Sequence, residues 1–167
     1  MHITIGAEIA GEQAAIRTVI EDAFRGAAHG DGAEGALVDA LRRNGDLIES
    51  LVARGDAGAI VGHIGFSPIA IADGTPGWVQ LAPLSVVPTC QRQGIGSALI
   101  AAGVQKMADM GMAGIALVGD PAYYARFGFT QAHDCTIGGG MDPYLQVRAI
   151  DPASRPSGKI TLARAFG

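Results

Sequence analysis

With 167 residues the chain fits one domain, by the prior of roughly 100–200 residues each, and its 12 basic and 16 acidic side chains leave a formal net charge of −4. That sign opposes the basic footprint of nucleic-acid binding. Hydrophobic residues make up 49% and charged residues only 17%, which excludes a disordered chain, and no apolar run reaches the ~18 residues of a membrane span.

Residues 2–8 predict a first strand, and no basic region followed by an apolar segment stands there, so a cytoplasmic protein is expected. Ile16, Val19, Ile20, Ala23 and Phe24 then recur at i, i+3, i+4, i+7 and i+8, the apolar stripe of an amphipathic helix. A breaker-rich stretch over 26–35 leads to a second helical pattern with Leu37, Val38 and Leu41, ending near Asn44-Gly45. Runs rich in β-branched and aromatic residues at 47–53, 59–71 and 78–87, parted by glycine-bearing turns, predict a strand meander.

From 95 to 110 the period returns to helical, with Ile95, Leu99 and Ala102 on one stripe and Ile100, Val104 and Met107 on the next. A short apolar run at 114–118 follows, so the unit reads as a βαβ crossover with local parallel pairing. Residues 121–127 predict one or two helical turns. Strands are expected from 129 onward, at 144–150 and at 159–165. Without repeats or a linker, the chain predicts one α/β domain over 1–167 with a mixed sheet. Cys90 and Cys135 form neither a metal motif nor a disulfide framework; reduced thiols and no metal are expected.

The chemistry concentrates where the third run meets the most apolar helix, in Leu84-Ser85-Val86-Val87-Pro88-Thr89-Cys90-Gln91-Arg92-Gln93-Gly94-Ile95-Gly96-Ser97. Gly94 and Gly96 permit positive φ and close backbone approach, and the first N–H groups of the helix point outward at the positive end of its dipole. The product is an anion site suited to a pyrophosphate, to which Arg92 and Ser97 add donors. The P-loop pattern is excluded, because no lysine stands at its required position. A dinucleotide fingerprint would place Leu99 where its third glycine belongs, and would open the fold rather than follow three strands. The remaining pattern, Gln/Arg-x-x-Gly-x-Gly/Ala, is met by Gln91-Arg92-Gln93-Gly94-Ile95-Gly96. Pro83, which cannot donate to a ladder, marks an edge or a bulge in the preceding strand; a bulge would splay two strands and free backbone groups for an extended ligand.

With Gly119-Asp120-Pro121-Ala122-Tyr123-Tyr124-Ala125-Arg126-Phe127-Gly128-Phe129 downstream, the sequence resembles the GNAT superfamily of N-acetyltransferases, in its bacterial YhbS-like branch. The resemblance covers 34–42, 61–69, 81–99 and 119–129 and thins after Cys135. It implies a single-domain fold with a splayed central sheet flanked by helices, and direct acetyl transfer from acetyl-CoA to a primary amine in a ternary complex. It implies that Gln91, Arg92, Gln93, Gly94, Gly96 and Ser97 hold the pyrophosphate and that the backbone of Leu84 and Val86 holds the pantetheine.

By the same resemblance Tyr124, four residues before Gly128, protonates the departing thiolate; packing between helix and sheet is its bland alternative. Asp120 stands where relatives commonly carry asparagine, and Asp120-Pro121 is equally an ordinary helix cap. The acceptor amine must shed a proton, since an alkylammonium has no lone pair. Glu34 and His63 are the candidate bases, against a first-turn acid and a core histidine respectively. The partner is a small-molecule or protein amine, with the oligomeric state open. A non-catalytic acyl-CoA sensor is the competing function.

Overall fold

A computed structural model describes residues 1–25 and 33–167; the glycine-rich connection over 26–32 lies outside them. Strand β1 (Thr4–Ala7) precedes helix α1 (Gln13–Phe24), whose Ile16, Val19 and Ile20 are buried as the 3.6-residue period requires. Helix α2 (Glu34–Asn44) buries Val38 and Leu41 and ends on Gly45 at φ 75°. Its acid stands in the first turn and Arg42 and Arg43 in the last, complementing the dipole. Arg42 also pairs with Glu8 at 3.0 Å and Asp39 at 3.0 Å, fastening α2 to the end of β1.

The meander follows as β2 (Glu49–Arg54), β3 (Ile60–Pro68), β4 (Ala70–Ile71) and β5 (Trp78–Val86). The run expected as one strand over 59–71 is divided, because β4 turns away to another sheet. Then come α3 (Ile95–Asp109), β6 (Gly114–Val118) and the short helix α4 (Pro121–Tyr124), extended by a 3₁₀ turn to Phe127. Strands β7 (Thr130–Gln131), β8 (Cys135–Thr136), β9 (Leu145–Ala149) and β10 (Gly158–Thr161) complete the chain.

Seven strands form the main sheet in the order β1-β2-β3-β5-β6-β9-β7, and β4-β10-β8 form a small second one. The β5–β6 pair is parallel, with α3 as its crossover. Helix α3 lies on one face, over Leu51, Ile64, Phe66, Leu81 and Leu117. It approaches closely because Gly103 has no side chain: a Cβ there would stand 2.5 Å from Phe66 Cζ. Helices α1 and α2 cover the other face through Ile16, Ile20 and Val38, packed with Val52 of β2. Leu99 and Ile100 have no exposed surface, and truncating either to alanine costs about 2–5 kcal/mol. No helix among the described residues is long and apolar enough to cross a membrane.

Two irregularities in β5 prepare the site. Ile64 pairs with Leu84 but Phe66 with Leu81, so Ala82 and Pro83 together oppose Gly65; this is the bulge that Pro83 predicts. The β5–β6 ladder also stops at Gln80 and Ala116. Beyond that point the two strands diverge and leave a gap along one edge of β5.

Candidate active site

The backbone of β5 faces this gap in alternate residues. Val87 N–H donates to Val61 O at 2.9 Å, and successive residues in a strand direct their peptide groups to opposite sides. The groups of Ser85 therefore face β3, and those of Leu84 and Val86 face the gap. One of them is already engaged, since Gln91 Nε2 donates to Val86 O at 3.0 Å. Gln91 thus braces the loop against the strand, leaving Val86 N–H and both peptide groups of Leu84 toward the gap.

The loop after β5 makes a single 3₁₀ turn, Pro88–Cys90, and then reverses through two left-handed residues, Arg92 at φ 62° and Gly94 at φ 84°. Left-handed backbone is costly for arginine and nearly free for glycine. The reversal aims the start of α3 outward. Ala98 N–H is the first to find an intrahelical acceptor, Gly94 O at 3.0 Å, so the N–H groups of Ile95, Gly96 and Ser97 are the unshared donors of this helix. Arg92 enters no ion pair among the described residues.

Leu84, Val86, Gln91, Arg92 and Gly96 line one cavity of about 260 Å³. Gln93, Gly94 and Ser97 belong to the same loop and helix start but are not on its lining; Gln93 Nε2 donates to Thr89 O at 3.4 Å. Cys90, Ile95 and Tyr123 also line the cavity, and Tyr123 is the residue the sequence motif passes over in favour of its neighbour. Its hydroxyl lies 3.0 Å from the place a Gly96 Cβ would occupy, so Gly96 is the residue that lets this phenol reach the helix start. Arg126 stacks over the Tyr123 ring at 5.1 Å. Nothing but the angular offset of adjacent helical residues, about 100°, could have signalled that the two tyrosines serve different walls.

Tyr124 is half-buried at the end of α4. Its ring meets Tyr123 edge-on at 4.9 Å and Phe129 at 5.9 Å. Burial, and then the neighbouring Tyr123 and Asp120, push its phenol up to about 12, so it stays protonated across the physiological range. Asp120 Oδ1 accepts the Ala122 N–H at 3.0 Å, the cap that the Asp-Pro pair predicts.

The two candidate bases stand elsewhere. His63 has no exposed surface and faces the α1 and α2 side beside Val52, with Nε2 2.8 Å from Ser50 Oγ. Burial, helped by the Arg42 charge, lowers its pKa to about 3; it is a neutral core histidine at pH 7 and is not on the lining of the loop cavity. Its Nδ1 lacks a protein partner, as do Ser85 Oγ, Ser67 Oγ and Gln80 Oε1. His63 is paired with Ser85, and Ser67 with Gln80, so the four make a buried polar stripe that alternation in the sequence does not reveal. Glu34 opens α2 and lines a separate cavity with Ala165 and Phe166. No cluster of three metal-ligating side chains occurs among the described residues.

Comparison with known proteins matches residues 14–129 to the model of the Acetyltransferase (GNAT) family. The chain is 37% identical over 125 residues to an uncharacterized N-acetyltransferase, YhbS, of Escherichia coli strain K12, covering 72% of this chain and 75% of that protein. A crystal structure of a GNAT family acetyltransferase from Brucella melitensis in complex with acetyl-CoA superposes with a TM-score of 0.88 at 40% identity, covering 99% of both chains. The Escherichia coli YhbS structure in complex with CoA gives a TM-score of 0.91 at 30% identity, covering 99% of this chain and 92% of that one.

Proposed function

The chain belongs to the GNAT family of acetyltransferases, and on that premise we propose that it carries an acetyl group from acetyl-CoA directly to a primary amine, both substrates being bound together. One observation carries the cofactor half of this reading: the left-handed turn at Arg92 and Gly94 opens the unshared N–H groups of α3 onto a cavity that continues along the free edge of β5. The pyrophosphate sits at the helix start, where dipole and donors favour an anion, and Arg92 adds a guanidinium. The pantetheine amides run along Leu84 and the Val86 N–H, extending β5 in place of the departed β6.

The neutral amine attacks the thioester carbonyl, forming the C–N bond. The tetrahedral intermediate then expels the CoA thiolate, which takes a proton from the Tyr124 hydroxyl; the amine's surplus proton passes to solvent, and solvent returns a proton to the Tyr124 phenolate. Cys90 takes no covalent part, because it lies on the phosphate loop rather than at the thioester end. Neither Glu34 nor His63 lines this cleft, which supports loss of the proton to water.

The test joins binding to turnover. Acetyl-CoA at 100 times its Kd contributes about 2.7 kcal/mol, a rise in Tm of roughly 5–10 °C for a chain of this length. Free thiol released in proportion to added amine, with the acetylated product detected by mass, completes it. A thermal shift with no amine-dependent release would identify an acyl-CoA sensor instead, and a shift with NAD but none with acetyl-CoA would refute the cofactor reading.

A further inference from the structure

We infer that the acceptor is a primary monoamine on an apolar alkyl or aryl body, seated in a cavity of about 460 Å³ between the end of β6 and the turn before β9. The inference rests on the acetyl-transfer reading above and gives it a substrate class. Val118, Gly119 and Asp120 form one wall and Met141 and Tyr144 the other. Met141 is 44% exposed and Tyr144 49%, and they are two of only five large hydrophobic side chains so exposed among the described residues. Convergence of two such side chains on one concavity is the mark of a binding site rather than of scattered surface.

The walls are built rather than draped. Gly138, Gly139 and Gly140 all take positive φ, and the Asp142 carboxylate fastens the arch by accepting N–H bonds from Ile137 at 2.6 Å and Gly138 at 2.9 Å. The two walls are tied together where Gly119 N–H donates to Tyr144 O at 3.1 Å and Gln146 Nε2 donates to Gly119 O at 2.8 Å.

Gly119 also sets the cavity beside the reacting bond. A Cβ on it would stand 2.6 Å from Tyr124 Cε2, so the cavity and Tyr124 share a wall one glycine thick. On its other flank Tyr124 meets Tyr123, which bounds the cofactor cleft. An amine entering here approaches from the side of Tyr124 away from the phosphate loop.

Charge selects the head group. Among the described residues Asp120 is the one carboxylate on the lining and no cationic side chain joins it, so an ammonium is attracted, and phosphorylated or carboxylated amines are opposed. The apolar remainder gives a second ammonium, as in a polyamine, no counter-charge. The fit is therefore to one amine and one hydrophobic body.

Free CoA release from acetyl-CoA with phenethylamine, hexylamine, spermidine and glucosamine 6-phosphate tests the assignment. The two apolar monoamines are expected to exceed the others at least about tenfold in kcat/KM. Tyr144→Ala and Met141→Ser, both at exposed positions, are each expected to raise the KM for phenethylamine about tenfold, the loss of one buried apolar side chain. The KM for acetyl-CoA and its thermal shift should be unchanged in both. Preference for spermidine or the phosphosugar, an unchanged acceptor KM in both variants, or turnover of another amine but of neither apolar one would overturn the acceptor assignment alone. Absence of acetyl-CoA binding would instead overturn the proposed function.

Discussion

Tyr123 and Tyr124 are adjacent in sequence, yet the fold sets them in different surroundings. Tyr123 presents its hydroxyl at Gly96, where the cofactor's phosphates are proposed to lie, whereas Tyr124 is held against Gly119 and Phe129 with its phenol pushed up to about 12. A phenol this weakly acidic remains loaded with its proton but releases it reluctantly, so the help proposed for it belongs at the low end of the roughly 10²–10⁴ range for general acids. Tyr124→Phe is expected to lower kcat about 10²-fold with the acetyl-CoA KM within twofold. Tyr123→Phe should do the reverse, raising the KM for acetyl-CoA with kcat little changed. Steady-state kinetics on the two variants checks the split, and equal effects in both would return Tyr124 to a packing role.

His63 makes a second prediction at this scale, one of stability. Its pKa is about 3 in the folded protein against 6.5 when free. The native state refuses a proton that the unfolded chain binds, so this contribution is complete above pH 6.5 and is lost as pH falls toward 3, at roughly 1.4 kcal/mol per pH unit. His63→Gln should be less stable at pH 7, because Ser50 loses its partner, but its stability should decline more gently between pH 6 and 4. Urea unfolding across that range decides it. Parallel slopes in the two proteins would mean that His63 is protonated in the native state.

At the scale of elements, the loop into α3 separates backbone need from ligand need. Gly94 requires a left-handed φ with nothing nearby, while Gly96 has ordinary backbone and a neighbour, Tyr123 Oη, at 3.0 Å. Gly94→Ala is therefore expected to cost about 1–2 kcal/mol of stability. Gly96→Leu should leave the free protein's Tm nearly unchanged and abolish the acetyl-CoA shift. Calorimetry with and without acetyl-CoA distinguishes them; a Gly96→Leu protein that still shifts would remove the phosphate from this loop. That glycine pattern, the long apolar helix behind it and the bulge at Pro83 were all legible in the sequence, because each is a local constraint written into neighbouring residues. The division of 59–71 into β3 and β4, and the small sheet that β4 makes with β10 and β8, were not: strands of two to four residues carry no period, and their pairing depends on distant partners, such as Thr161 with Ala70. The buried stripe of His63, Ser67, Gln80 and Ser85 escaped for the same reason, since cross-strand register creates it. The role of Tyr123 escaped because a motif names a position and not the wall it faces.

Over the whole molecule, the proposed route joins Tyr124 as leaving-group acid to loss of the amine proton to water, with Asp120 serving only as a counter-charge and neither Glu34 nor His63 among the described residues lining the cofactor cleft, and this sets the shape of the pH–rate profile. Only the neutral amine attacks, so its reactive fraction rises tenfold per pH unit until its own pKa, near 10.4 for an alkylamine. His63, neutral above about pH 3, adds no inflection near 6.5. Tyr124, with its phenol at about 12, adds no descending limb below about pH 11. The expected plot of log kcat/KM is a single ascent of unit slope that breaks at the amine, so two acceptors of different basicity should break at different pH values. Glu34→Gln and His63→Gln should keep that shape, even where the second is less stable. A break that stays near pH 6–7 for both amines would show instead that a group on the protein removes the proton. Rescue of a Glu34→Gln variant at high pH would then identify it as Glu34, at the start of α2.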